Sequence, residues 1–340
     1  MSAKSIKLLA VVSLSLFIGI LLTAGPVLSK THKMRIQCVY PETSNGGMML
    51  KTFADKVKQY SDGQIEAELY WPNQLVKVGE SFNAVSKGLV EGVYAATIYF
   101  TGTVPELKVE WLAHTWETPE MAYDIYYENG FNEFLEKAHQ KHDVHLLGTW
   151  FTGTMGFMTN FDVKGLDDFK GKKVRAMSAD APLAKLMGIT PVALAGTEIY
   201  MALQRKAIDG ATYPYYVIET YKLYEVVNTI ILPGIHSPNP TSLLVSNDFY
   251  KSLSPELQSA LEKAGQEVAL LSVSWSHKWD DEALAFAKEK KVNIVTLPEE
   301  DQNKLNHLAQ QTWAEVEASS PECKEGIDLV RTYLKNKGDK

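Results

Sequence analysis

Apolar and polar residues alternate over the first five residues of "MRIQCVY", which then ends apolar, so residues 34–40 read as a strand. The loop "PETSNGG" follows, and residues 48–60 return to helical spacing, predicting an amphipathic helix. Asp62 and Gly63 make a turn, and "QIEAELYW" alternates again as a strand. A helix is expected near residues 80–87, and "GVYAATIYF" is expected to be a strand throughout. The second half repeats the grammar: "KKVRAMS" strand, "APLAKLMG" helix, "ITPVAL" strand, "TEIYMALQRK" helix. Strands alternating with helices at short spacing predict βαβ units and a mostly parallel sheet.

One pair of segments aligns without a gap, "AVSKGLVEGV" at 84–93 and "ALQRKAIDGA" at 202–211. Each runs from a helix end through an acidic-Gly turn into an apolar strand, with the glycine expected to supply a conformation other residues resist. The repeat suggests two similar α/β lobes. After Pro255 the chain carries no further proline and one glycine, Gly265, up to about residue 290. Ser254 suits a cap, Pro255 the first turn and Glu256 the positive helix end. A single helix of about 36 residues would reach about 54 Å and could brace both lobes. Two helices broken near Gly265 are the alternative.

At 340 residues the chain suits two domains. Its net charge of -7 argues against nucleic acid or an anionic membrane surface as partner. Lys4 and Lys7 precede an apolar run at 8–22, too short for a comfortable membrane span, and small residues follow. This predicts a signal peptide over residues 1–29, cut near Ser29, with an uncleaved anchor as the alternative. Cys38 and Cys323 could pair in an oxidising compartment, but Cys38 alternates with apolar residues and reads as a buried free thiol.

The motifs of enzymes are missing: no nucleophile elbow, phosphate loop or dinucleotide-binding turn. "HQKHDVH" sets His139, His142 and His145 three apart, which could hold a metal on one helix. A helix over 131–141 ends there and a strand begins, and histidines also suit the negative end of a helix. Arg175 is one of only four arginines and sits inside an apolar strand. Open α/β sheets place ligands at strand ends, and a guanidinium offers a carboxylate two parallel donors. The alternative is an internal salt bridge, with Asp180 nearby in sequence. Aromatics cluster at strand ends in "TIYF", "GTWFTG" and "TYPYYV", where they can line a cleft or pack a core. From these come the candidate ligand contacts Arg175, Tyr213, Tyr99, Trp150, Phe157, Glu42, Tyr216 and Met177.

"GLDDFKGKKVRAMS", "GITPVALAGTEIYMALQRKAIDGA" and "FNAVSKGLVEGV", with "ELYWPNQL" and the long helix after Ser254, resemble the solute-binding proteins of TRAP transporters, the DctP-like family. The resemblance covers essentially the whole chain after Ser29. It implies a two-lobed α/β periplasmic binding protein with a long helix spanning both lobes, closing on an organic anion. It also implies delivery to small and large membrane subunits. The family's carboxylate-binding arginine falls on Arg175, and Tyr213 stands just past the Asp-Gly turn. Two departures narrow the ligand. Many members carry a second arginine where this chain has Met155, Gly156 and Phe157. The keto-acid branch places a metal-binding Glu where this chain has Thr212. No metal or cofactor is therefore expected. One arginine among aromatics suggests a monoanion with an aromatic, indole-like or keto-acid body; a small sulfonate or a C4-dicarboxylate is the alternative. Lobe I is expected at 30–153 plus about 241–270, and lobe II at 154–240 plus about 271–340. A diffusing monomer is expected. A secreted enzyme and a sensory ligand-binding module are the competing classes.

Overall fold

The computed structural model describes residues 31–338; the expected signal peptide lies outside them. The first lobe begins with β1 (His32–Cys38), α1 (Asn45–Tyr60), β2 (Ile65–Tyr70), α2 (Ser81–Ser86) and β3 (Gly92–Ala95). Helices α3 (Pro119–Glu128) and α4 (Phe131–Gln140) lead to β4 (Val144–Phe151). The chain then crosses into the second lobe: β5 (Met155–Thr159), β6 (Lys173–Arg175), α5 (Ala181–Leu186), β7 (Thr190–Val192), α6 (Ile199–Gln204), β8 (Gly210–Pro214), α7 (Val217–Thr220) and β9 (Thr229–Leu232). It returns as β10 (Pro240–Ser246), followed by α8 (Asn247–Ser252), α9 (Pro255–Glu289), β11 (Asn293–Thr296), α10 (Glu299–Glu317) and α11 (Pro321–Gly338).

The first sheet has the order β2-β1-β3-β10-β4 and the second β11-β9-β5-β8-β6-β7. Both are mixed rather than mostly parallel. β10 runs antiparallel to β3 and β4, and β5 antiparallel to β8 and β9. The crossings impose this. β4 runs toward the lobe boundary and β10 comes back from it, so neighbours joined through the other lobe must oppose each other.

Three local expectations change. Helix α1 starts at Asn45, ahead of the expected residue 48, because Ser44 accepts a hydrogen bond from Gly47 N and caps it. The strand expected through residue 100 stops at Ala95, and Thr97–Phe100 forms a 3₁₀ turn. In the repeated segments the left-handed residues are Gly88 and Lys206, not the glycines of the acidic-Gly turns. Gly92 and Gly210 instead allow close approach: a Cβ on Gly210 would stand 2.8 Å from Met158 O.

Helix α9 is unbroken, about 52 Å long at 1.5 Å per residue over its 35 residues. Gly265 does not interrupt it, and its carbonyl accepts the Trp150 indole N–H at 2.9 Å. Further along the same face, Ser272 Oγ accepts from Phe151 N at 3.0 Å and Ser276 Oγ from Gly153 N at 3.1 Å. Asp280 then accepts from Thr154 N at 2.8 Å, and the C-terminal end reaches α7 and β11. One helix therefore braces both lobes and pins the crossing between them. Beside it lies the returning crossing, where Asn239 N donates to Gly153 O at 2.6 Å and Met155 N to His236 O at 2.8 Å.

The C-terminal helix α11 packs against α4 and the Pro105–Lys108 turn of the first lobe, whereas residues 271–340 were expected in the second. Its apolar stripe of Ile327, Val330 and Tyr333 is buried there, and the Tyr333 hydroxyl donates to Met121 O at 3.0 Å. Cys38 and Cys323 are both free and buried, and burial pushes the Cys38 thiol up to about 12. His139 is buried at the end of α4, and burial lowers it to about 4. His145 points elsewhere, between Glu136 and Glu262 at 2.8 Å each, which raise it to about 9 against the opposing effect of burial. Among the described residues no group of side chains could hold a metal ion.

Trp150 is fully buried between Phe53 and Tyr94, with ring centroids 5.6 and 4.9 Å away. Trp150→Ala should cost about 3–5 kcal/mol of stability, measured by urea unfolding.

Candidate functional site

Arg175 ends β6, which pairs with β7 and β8 in parallel, so the guanidinium emerges at the strand ends where the lobes meet. The residue is 1% exposed. Its Nε donates to Leu194 O at 3.2 Å, Nη1 to Thr212 O at 2.8 Å, and Nη2 to the Tyr99 hydroxyl at 3.4 Å. The Tyr213 ring centroid lies 5.0 Å from the guanidinium carbon. These partners are neutral, and they leave part of the five-donor fork unused. The alternative salt bridge to Asp180 does not form. Asp180 Oδ1 pairs with His236 Nε2 at 2.8 Å, and Oδ2 accepts from Thr212 Oγ1 at 3.3 Å. Arg175 is thus a buried cation with no carboxylate among the described residues, a costly state unless an anion completes it.

The cavity at Arg175 is closed from both sides. Ala96, Ile98, Trp111, Met155 and Pro214 give it apolar walls. Tyr40 and Tyr99 from the first lobe, Tyr213 from the second, and Asn239 from the crossing supply its other polar groups. The Tyr99 hydroxyl bridges the lobes, accepting also from Gly196 N at 3.3 Å. A Cβ on Gly196 would collide with the Tyr213 hydroxyl, so glycine there lets the ring reach Arg175. The cavity offers about 10 Å³, room for at most about one water molecule, so a solute requires the lobes to part before it enters. Open grooves of about 560 Å³ beside Tyr200 and about 740 Å³ beside Pro233 are larger, but no buried cation lines them. Chemistry rather than volume marks the site.

The structure gathers Arg175, Tyr99 and Tyr213 from the sequence candidates. Tyr216 lies buried close by, its ring centroid 6.3 Å from Trp279. The others sit elsewhere. Trp150 is in the first core, and Phe157 packs on Phe169 at 5.0 Å in the second, with Met177 half-buried against the same cluster. Glu42 is exposed and pairs with Lys51 at 2.8 Å. Sequence reasoning missed Tyr40, Trp111, Met155 and Asn239. Tyr40 ends the first predicted strand, so the strand-end rule could have found it. Trp111 and Asn239 lie in irregular segments that carry no periodic signal.

Trp111 is held from behind. Its indole N–H donates to Thr97 Oγ1 at 2.8 Å, the Thr97 hydroxyl donates to the Glu110 carboxylate, and the Tyr126 hydroxyl donates to Glu110 at 3.1 Å. Burial raises Glu110 to about 7, outweighing these hydrogen bonds.

Two α/β lobes, braced by one helix and closed over an unpaired arginine, define a solute-binding protein. The chain belongs to bacterial extracellular solute-binding protein family 7 (DctP), whose model matches residues 37–320, and thus to the solute-binding proteins of TRAP transporters. It is 27% identical over 253 residues to the sialic acid-binding periplasmic protein SiaP of Vibrio cholerae, covering 72% of this chain and 77% of that one. A TRAP periplasmic solute-binding protein from Rhodobacter sphaeroides in an apo open structure is 26% identical. It superposes with a TM-score of 0.69 over 90% of this chain and 99% of that one. One from Desulfovibrio salexigens with bound orotic acid is 22% identical, with a TM-score of 0.82 over 90% and 98% of the two chains.

Because the folded chain holds the Glu110 proton more tightly than the unfolded chain, its contribution is full in acid and lost as pH rises through about 7. Glu110→Gln should therefore match wild type near pH 4 and exceed it by up to about 3 kcal/mol at about pH 8 in urea unfolding. An equal difference at both pH values would contradict the assignment.

Proposed function

We propose that this protein captures a small organic monoanion in the periplasm and delivers it to the small and large membrane subunits of a TRAP transporter. The buried, carboxylate-free Arg175 carries the reading. The solute's carboxylate takes the open donors of the fork, while apolar walls and the faces of Tyr213 and Trp111 take an aromatic, indole-like or keto-acid body. No second cation lines the cavity, which weighs against a C4-dicarboxylate. A small sulfonate would satisfy the arginine but leave the apolar walls uncovered. No carboxylate lines the cavity to hold a metal ion beside the solute, and Thr212 occupies the position where a Glu would do so. Lobe I (30–153 plus about 241–270) and lobe II hinge at the crossings through Gly153 and Asn239, with α11 placed on lobe I. Binding and closure are one event, and the tight cavity is the closed end of it. The better superposition on the orotate-bound neighbour than on the open apo one supports this. Among the described residues no helix is long and apolar enough to cross a membrane. The expected signal peptide over residues 1–29 would place the carrier, a monomer, in the periplasm. The family consists of solute-binding proteins, and a non-catalytic carrier fits this chain.

The test is a thermal-shift screen of the purified protein against benzoate, indole acetate, phenylpyruvate, succinate and taurine, with titration calorimetry on each hit. A ligand at 100 times its Kd stabilises by about 2.7 kcal/mol. Arg175→Lys keeps the charge but loses the fork and should bind about 10- to 150-fold more weakly. Unchanged affinity in that variant would remove Arg175 from the site, and a response to succinate alone would exclude a monoanion.

A further inference from the structure

Besides the open donors of Arg175, the cavity holds a hydroxyl that the fold leaves without a partner. Tyr40 lies just past the end of β1 and is 3% exposed. Its ring is fixed: it meets Tyr94 edge-on at 5.4 Å, and the start of α1 presses on it at Gly46, where a Cβ would stand 2.8 Å away. The hydroxyl is buried and has no protein partner. Other polar side chains of the cavity have protein contacts. Tyr99 accepts from Arg175 and Gly196, Asn239 Nδ2 donates to Thr152 Oγ1 at 2.7 Å, and Tyr213 stacks on the guanidinium. A phenol held in apolar surroundings without a partner is costly, and folded proteins rarely keep one without reason. Tyr40 belongs to the first lobe and Arg175 to the second, so a solute held by Arg175 meets Tyr40 only as the lobes close.

We propose that the solute bears, away from its carboxylate, a neutral hydrogen-bond acceptor (a carbonyl oxygen or a ring nitrogen) and that the Tyr40 hydroxyl donates to it on closure. This rests on the monoanion reading and sharpens it. Arg175 selects the charge, and Tyr40 selects, among monoanions of one shape, those with an acceptor at the far end. A solute lacking the acceptor still engages Arg175 but leaves the phenol unpaired in the closed form, so closure is weaker.

Matched pairs of acids test this by titration calorimetry: benzoate against isonicotinate, and isocaproate against levulinate. Within each pair the shape is nearly constant and only the second acid carries the distal acceptor. Wild type should prefer the acceptor-bearing acid in at least one pair by about 3- to 10-fold. Tyr40→Phe should erase that preference, with the acceptor-free acid of the pair bound no more weakly than by wild type, which also shows that the variant is folded. Without ligand, Tyr40→Phe should melt no lower than wild type, since the lost hydroxyl has no partner. A preference that survives in Tyr40→Phe overturns the proposal. So does an absent preference in wild type, or a lower melting temperature of the unliganded variant. These results leave the monoanion reading standing if Arg175→Lys still weakens binding of all four acids. If none of the four binds, or if Arg175→Lys binds them as tightly as wild type, both readings fall together.

Discussion

A guanidinium taken out of water without a carboxylate is the constraint around which this molecule is arranged. Its isolation is built rather than incidental. Asp180, a buried acid close to it in sequence, is committed to His236 and Thr212. Thr212 in turn gives its carbonyl to Arg175 and its hydroxyl to Asp180, so one residue holds cation and anion in separate places. Had Asp180 turned to Arg175, the site would be neutralised from within and would have no call on a solute. Neutral partners orient the guanidinium without discharging it, and this lets an external anion compete.

The same economy governs the boundary between the lobes. Two crossings lie side by side, hydrogen-bonded to each other through Asn239, Gly153, Met155 and His236. Against them runs α9, which presents Ser272, Ser276 and Asp280 at helical spacing to backbone amides of residues 151–154. Side-chain oxygens therefore satisfy amides at the end of one sheet and in the crossing before the next. Opening can bend this region without stripping its backbone of partners, because those partners sit on the helix rather than in either lobe.

The fold was largely legible because period and punctuation are local properties. The helix capped by Ser254 starts where the residues predict it; the strand expected over 34–40 forms two residues earlier, at His32–Cys38, and the strand bearing Arg175 is shorter than expected, Lys173–Arg175. The site was legible only in part. Alternation says which side chains leave a strand on the same face, but not whether that face meets a core or a cleft. Trp150 and Met177 lie at strand ends as Tyr213 does, and Phe157 on a strand beside it, yet all three meet packed neighbours rather than the cavity. Trp111 and Asn239 escaped because only tertiary contact brings their irregular segments to Arg175. The sheet direction was missed for a similar reason, since local grammar carries no signal that the chain will leave a lobe and return.

That return governs the order in which the protein can assemble. β10 lies between β3 and β4, yet residues 96–239 separate β3 from it along the chain. Until residues 240–246 are available, the first sheet lacks its middle strand, and the facing edges of β3 and β4 have nothing to pair with. The first sheet thus cannot lock into its final form before residue 246 has been made. Loop closure over so long a stretch is slow. The topology itself keeps the leading sheet pliable until the chain has passed through the second lobe and returned.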